Sequence, residues 1–176
     1  HVTVRAVALA ADPEADVPGE PWRVPRRYVH TFSRTRLLDA HRELLAAGLG
    51  LLPGVHDVLP DAQVGMVGLE RDPDTLAARR YYFKVPPLDG AWVLVLEPML
   101  ATGGSAADAV AALDAAGAAQ VVVLSVVATE QGVRRVLDGD ERTRVVAAAV
   151  DPGLDERGYI VPGLGDFGDR LFGTPH

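Results

Sequence analysis

The segment that decides the fold runs from Ala91 to Gly117 and has the sequence AWVLVLEPMLATGGSAADAVAALDAAG. It begins with a continuous apolar run, Trp92 to Leu96, of the kind found in strands that are buried on both faces. It ends with an alanine-rich stretch, Ser105 to Ala116, which Gly117 closes as a glycine closes a helix. The segment therefore predicts a buried strand, a glycine-bearing turn and a helix.

The chain beyond this segment repeats the alternation. Val121 to Val127 is a second valine-rich run, Glu130 to Leu137 predicts a shorter helix, and Arg144 to Val150 predicts another strand. Strands joined by helical crossovers in this way lie parallel to one another in one sheet. The second half of the chain therefore predicts an α/β fold with a parallel sheet.

The first half of the chain predicts a less regular series of elements, from alternating apolar residues, a leucine-rich helical face and proline or glycine at their ends. In chain order they are a strand from Val2 to Leu9, a helix from Arg34 to Gly48, a short helical stretch opened by Pro53, a strand from Gln63 to Leu69, a charged loop from Glu70 to Arg80 and an extended segment from Tyr81 to Val85.

The composition limits the kind of protein this is. Its 176 residues suit one domain, and the 48% of apolar residues suits a globular core. A net charge of -7 leaves no basic surface for nucleic acid, so we expect no nucleic-acid partner. The absence of cysteine excludes disulfides, thiolate catalysis and zinc held by cysteine.

The location of the protein is expected to be cytoplasmic. Its longest apolar runs, such as Gln120 to Ala128, are far shorter than the roughly 20 residues that span a membrane. The N-terminus has no basic segment followed by an apolar run, so no secretion is predicted. The chain begins with His1 rather than methionine, so we expect that residues preceding it are missing.

The turn within the opening segment has the features of a phosphate site. Glu97 to Ser105 follows the carboxyl end of a predicted parallel strand, where such sheets bind ligands. Gly103 and Gly104 allow close approach to the backbone, Thr102 and Ser105 offer hydroxyls, and the next helix directs free N–H groups at an anion. The glycines alone would fit an ordinary turn equally well. No Walker lysine or dinucleotide fingerprint is present, so neither ATP hydrolysis nor hydride transfer is predicted.

Further motifs carry a resemblance to a known family. They are EPMLATGGS from Glu97 to Ser105, GYIVPGLGDFGDRLFGT from Gly158 to Thr174, VGLERDPDTL from Val67 to Leu76, YYFK from Tyr81 to Lys84, and DPGL from Asp151 to Leu154. In these motifs and in their order, the chain resembles the uracil phosphoribosyltransferase family over roughly Ala47 to Thr174.

The resemblance implies a type I phosphoribosyltransferase-like fold, in which helices flank a central, mostly parallel sheet and loops form a small hood. We interpret residues 1–176 as a single domain of this kind, with a divergent N-terminal part at residues 1–46. The implied reaction, a step of pyrimidine salvage, moves ribose 5-phosphate from 5-phosphoribosyl 1-diphosphate to uracil or a related base, giving UMP and diphosphate. Mg²⁺ would enter with the diphosphate substrate, and no protein residue is assigned as a metal ligand. The implied assembly is a homodimer.

The resemblance also assigns site residues. Glu97, Asp166 and Arg71 are the expected catalytic residues: Arg71 would contact the diphosphate, Asp166 would lie near the ribosyl diphosphate, and Glu97 stands where the family usually has aspartate. Without the resemblance, a solvated charge at Arg71 and a turn-stabilising bond at Asp166 would be expected. The ribose and its phosphate would be held by Pro98, Met99, Leu100, Ala101, Thr102, Gly103, Gly104 and Ser105, and the base by groups at Tyr159, Ile160, Gly165 and Phe167.

One departure from the family keeps other functions open. The family has an arginine for the diphosphate immediately before Ala-Gly-Leu-Gly, and this chain has Ala46. Losing such a charge-assisted contact costs about 1.5 to 3 kcal/mol. One alternative is a repurposed homologue that acts on a different substrate in specialised metabolism, with His41 and Glu43 as speculative acid/base groups. Another is a non-catalytic nucleotide sensor.

Overall fold

The structure is a computed structural model that describes residues 2–11, 46–71 and 78–173. Its strands are β1 (Val2–Ala11), β2 (Gln63–Arg71), β3 (Ala78–Lys84), β4 (Trp92–Leu96), β5 (Met99–Leu100), β6 (Gln120–Thr129), β7 (Arg144–Asp151), β8 (Gly153–Leu154) and β9 (Ile160–Val161). Its helices are α1 (Ala46–Leu49), α2 (Leu52–Val58), α3 (Gly104–Ala115), α4 (Glu130–Leu137) and α5 (Phe167–Phe172).

Seven strands form one sheet that contains both parallel and antiparallel pairs. Strands β4, β5 and β7 lie parallel to β6, with β4 and β5 on one side of it and β7 on the other. Strand β1 lies antiparallel to both β4 and β2, and β3 lies antiparallel to β2. The expected parallel sheet is therefore confirmed for β4, β5, β6 and β7, and an antiparallel ribbon of β1, β2 and β3 continues the sheet beyond β4.

The core lies on both faces of this sheet because its central strands carry apolar side chains in both directions. On one face, Val93 and Val95 of β4 pack beneath α3, whose Ala109 and Leu113 are fully buried. On the other face, Leu96 packs with apolar residues of the α1 and α2 region. Helices thus flank the sheet on both sides, which confirms the α/β fold class.

Several element boundaries differ from those that the sequence predicts. The charged loop expected from Glu70 to Arg80 is shorter at both ends, because β2 and β3 continue as a paired ribbon in which Arg71 lies opposite Ala78. Of the helix expected from Arg34 to Gly48, only its end is described, and α1 runs one residue beyond Gly48. The rest of that prediction lies outside the described residues. No helix in the described ranges is long and apolar enough to cross a membrane.

A polar cluster on the surface fixes the end of α3 against the turn before β7. The Arg142 guanidinium is bonded to the Asp114 carboxylate and, at 2.9 Å, to that of Asp140. The backbone N–H of Arg142 also donates to Asp140, and these bonds hold the pKa of the Asp140 carboxyl below its ordinary value. Asp140 therefore stays ionised at neutral pH, and the stability that it contributes is lost only as the pH falls through that lowered pKa.

Candidate functional site

The segment that follows β4 is held tightly on β6. Strand β4 is interrupted at Glu97 and Pro98, and β5 then resumes the same register along β6. The Glu97 N–H donates to the Leu124 carbonyl at 2.9 Å, and the Pro98 carbonyl accepts from the N–H groups of Val126 and Val127. Both interrupting residues are buried, with Glu97 only 2% exposed. A carboxylate is therefore fixed on the sheet where the loop begins.

The loop then turns into α3 through a left-handed residue. Gly103 precedes the helix with φ of 75° and ψ of -5°, and no side chain caps the helix. The first N–H groups of an α-helix have no partner within it, so those of α3 are directed toward the loop. Glu97 and residues 99–106 line a shallow depression that is open to solvent. Oriented N–H groups and a helix N-terminus favour an anion there.

Helix α4 supports this loop from behind. The Thr129 hydroxyl donates to the Ala101 carbonyl at 2.6 Å and accepts from the Gly132 N–H at 2.9 Å, so one side chain joins the loop to the start of α4. Gly132 lets the helix approach, since a Cβ there would lie 2.5 Å from the Ala101 carbonyl oxygen and 2.6 Å from that of Leu100. The position of the loop therefore depends on a glycine outside it.

The two adjacent glycines of the loop, Gly103 and Gly104, are glycine for different physical reasons. Gly103 needs to be glycine for the fold, because its φ is positive and a Cβ would lie 2.5 Å from the Gly132 carbonyl oxygen. Gly104 has no such need, since a Cβ there would meet nothing closer than 3.6 Å. The fold thus explains the first glycine and leaves the second as the one that keeps space open beside the helix N-terminus.

A second loop, expected to bind the base, follows β7 at the same edge of the sheet. The Asp151 carboxylate at the end of β7 accepts the Gly163 N–H at 2.8 Å. Gly163 has a positive φ of 51°, and a Cβ there would collide with the Ile160 carbonyl oxygen, so the turn requires glycine. Ile160 is buried, whereas the Tyr159 side chain is 42% exposed. The peptide bond between Val161 and Pro162 is cis.

The end of this loop starts α5. Asp166 is the N-cap residue, and its carboxylate accepts the Asp169 N–H at 3.0 Å. That bond is the turn-stabilising role that aspartate beside glycine predicts. Gly165 adopts a positive φ of 76° beside it, and the Phe167 ring packs against the backbone at Gly50. The second loop therefore rests against the segment that follows α1.

The topology brings the two loops to one edge of the sheet. Strands β4, β6 and β7 are parallel, so the loops that follow β4 and β7 both leave at the carboxyl edge. Strand β2 runs in the same direction as β4, because both are antiparallel to β1, and it therefore ends with Arg71 at this edge. Only the backbone of Arg71 is described. His41 and Glu43 lie outside the described residues.

Sequence reasoning missed the residues that hold the loops in place. Thr129 and Gly132 were assigned no role, although a threonine just before the acidic start of a predicted helix is a capping pattern. Asp151 was noted only as part of a motif, and its bond to Gly163 has no local signal because the two residues are 12 positions apart in the chain. In the part of the chain described, no three acidic or histidine side chains group as a metal cage would require.

Comparison with known proteins finds similarity over most of the chain. A sequence model of the family described as uracil phosphoribosyltransferase matches residues 26–174. The uracil phosphoribosyltransferases of Paracoccus denitrificans (strain Pd 1222) and Oceanobacillus iheyensis are 49% and 47% identical over 132 residues, or 74% of this chain and 63% of each relative. The solved structure of the AQ2163 protein from Aquifex aeolicus matches with a TM-score of 0.69 and 38% identity, over 74% of this chain and 62% of that one. The chain spans less than two thirds of the length of these relatives.

Proposed function

The chain belongs to the uracil phosphoribosyltransferase family, and from that premise we propose that it transfers ribose 5-phosphate from 5-phosphoribosyl 1-diphosphate to uracil. The observation that carries the proposal is the arrangement at the carboxyl edge of the sheet. There the buried Glu97 and the N-terminus of α3 lie on the loop after β4, and the glycine-rich base loop follows β7. Such edges are the usual ligand sites of open α/β sheets.

The proposed chemistry needs positioning and electrostatic stabilisation rather than a protein nucleophile. The bond from the sugar carbon to diphosphate breaks, a bond from that carbon to a ring nitrogen of uracil forms, and the proton of that nitrogen passes to water. Cationic character develops on the sugar carbon, and a fixed carboxylate such as that of Glu97 lowers the barrier by facing it. The N–H groups at the start of α3 hold the 5-phosphate, and the base loop orients uracil through its backbone.

The residues at the site suit a magnesium ion that arrives with the substrate. Mg²⁺ is usually bound through one or two carboxylates together with substrate phosphates and water, rather than by a cage of protein ligands. Glu97 on the loop and Asp166 at the start of α5 are the carboxylates that would hold such an ion. When bound, the ion would neutralise charge on the departing diphosphate.

The direct test mixes the protein with uracil, 5-phosphoribosyl 1-diphosphate and Mg²⁺ and measures UMP by chromatography. We expect UMP and diphosphate in equal amounts, with a high KM for the donor because Ala46 offers no charge to the diphosphate. Omission of Mg²⁺ and replacement of uracil by cytosine are the controls. The absence of UMP under all donor concentrations would contradict the proposal.

The alanine at position 46 favours a second candidate function, because it carries no charge. The family's arginine precedes Ala-Gly-Leu-Gly, and here residues 46–49 form a short helix that begins with alanine. A site without that cation could still hold a nucleotide or another phosphorylated sugar. Binding of UMP without its formation from uracil would identify a non-catalytic sensor, and turnover of another acceptor would identify a repurposed enzyme.

We further propose that the protein works as a cytoplasmic homodimer in pyrimidine salvage, the setting that the family's substrates imply. Support for self-association comes from β7, an edge strand of the described sheet whose Val146 and Val150 are each 56% exposed. We expect a dimer by light scattering after gel filtration, and a shift toward monomer for Val146→Arg. A monomer at all protein concentrations would contradict the expectation.

A further inference from the structure

The side chain of Arg135, on helix α4, lies next to the loop from Glu97 to Ser105, which we call the phosphate loop. A Cβ built on Gly103 would lie 3.1 Å from the Arg135 Cβ, and one built on Gly104 would lie 3.6 Å from the guanidinium carbon. Arg135 is one turn after Gly132, on the face of α4 that contacts the loop. The close packing at Gly132 therefore also places this guanidinium beside the N-terminus of α3.

Arg135 and its neighbour Arg134 differ in whether the guanidinium is paired with a carboxylate. Arg134 extends to the Glu130 carboxylate at 3.0 Å, one turn earlier on the exposed side of the helix. Within the described ranges, no hydrogen bond or ion pair involves the guanidinium of Arg135. Arg134 is thus paired on the surface of its own helix, whereas the guanidinium of Arg135 lies beside the loop.

The loop itself lacks a positive charge. From Glu97 to Ser105 its one ionisable residue is the glutamate, and the rest are apolar residues, glycines and hydroxyls. A sugar phosphate carries negative charge into this site close to a carboxylate, so a cation nearby is needed to offset the repulsion. A guanidinium suits the role because its planar set of donors matches the oxygens of a phosphate.

We propose that Arg135 is a binding residue for the 5-phosphate of the sugar substrate, held between its guanidinium and the N–H groups at the start of α3. The inference rests on the proposed function, since it assigns a further contact to the same site. It assigns Arg135 to the 5-phosphate rather than to the diphosphate, because its nearest loop positions are Gly103 and Gly104.

The test compares UMP, which carries the 5-phosphate, with inorganic diphosphate, which stands for the diphosphate group of the donor. We expect Arg135→Ala to bind UMP, which has the 5-phosphate, about tenfold more weakly than the wild type, and to bind inorganic diphosphate within twofold. Arg135→Lys keeps the charge and should recover part of the UMP affinity. Arg134→Ala removes the same charge from the same helix and should bind UMP within twofold of the wild type. Calorimetry at two salt concentrations should show a steeper loss with salt for the wild type than for Arg135→Ala.

The outcomes separate this inference from the function on which it rests. If the wild type binds neither UMP nor 5-phosphoribosyl 1-diphosphate, both the proposed function and the role of Arg135 are wrong. A wild type that binds UMP, with Arg135→Ala binding it equally well, overturns the role of Arg135 alone. Weaker binding of diphosphate with unchanged binding of UMP overturns the assignment to the 5-phosphate. Thermal unfolding of each variant shows whether a loss of binding reflects a loss of folded protein.

Discussion

Replacing Gly132 with alanine is expected to destabilise the protein by about 2 kcal/mol, although alanine is the better helix former by about 1 kcal/mol. The new Cβ would lie 2.5 Å from the Ala101 carbonyl oxygen and 2.6 Å from that of Leu100. Both contacts are with backbone, so no side-chain rotation relieves them. The helix or the loop has to move, and the hydrogen bonds of Thr129 that join them are strained or lost.

The matched control is Gly54→Ala in α2. Gly54 and Gly132 are each the third residue of a helix, but a Cβ on Gly54 would meet nothing within 4 Å. Alanine there should raise the free energy of unfolding by about 0.5 to 1 kcal/mol, since helix propensity acts without a clash. Urea unfolding curves of the two variants should therefore shift in opposite directions. A shift of both to greater stability would contradict the packing of α4 on the loop.

The Gly132→Ala variant also tests whether the packing of α4 on the loop matters for the candidate site. The loop that contacts Gly132 is the one whose N–H groups are proposed to hold the 5-phosphate, so its displacement should also weaken UMP binding. Gly54→Ala should leave that binding unchanged, because α2 packs beneath the other face of the sheet. The geometry therefore predicts that Gly132→Ala loses both stability and affinity for UMP, and that Gly54→Ala loses neither.

The strongest local patterns predicted the second half of the fold closely. Helix α4 runs from Glu130 to Leu137 as predicted, because Thr129 caps it and its apolar residues repeat at helical spacing. Strands β4 and β6 follow from valine-rich runs that suit burial on both faces, and β6 extends two residues beyond Val127. The glycines from Glu97 to Ser105 and their place after a strand predicted the loop between β4 and α3, and its binding of a phosphate stays a prediction.

Pairing between distant segments could not be predicted in the same way. The alternation from Val2 to Leu9 indicates a strand, but nothing local states that it lies antiparallel to both β2 and β4. The proximity of Arg135 to Gly104 depends on Gly132 packing against the loop, and these segments are far apart in sequence. The structure also gives Asp166 a capping bond that the motif alone left open.

Replacing Glu97 with glutamine is expected to lower kcat/KM for UMP formation about a hundredfold. Glutamine keeps the size and much of the hydrogen bonding of glutamate but removes the charge that would face the cationic sugar carbon. Glu97 is 2% exposed, and glutamine has nearly the same volume, so the packing of this side chain is kept and stability should change little. Activity and stability are therefore expected to separate, which a general disturbance of the loop would not produce.

Two further variants make this expectation specific to the carboxylate at Glu97. Glu97→Asp restores the residue usual in the family and keeps the charge, so it should retain activity within about tenfold while losing some stability to the missing methylene. Glu130→Gln removes a carboxylate that is exposed at the start of α4 and paired with Arg134, so it should leave kcat/KM within twofold. Initial rates of UMP formation at saturating uracil, with the donor varied, distinguish a fall in kcat from a rise in KM. Full activity in Glu97→Gln would exclude a charged role for this residue, whereas equal losses in the aspartate and glutamine variants would point to its packing on β6 instead.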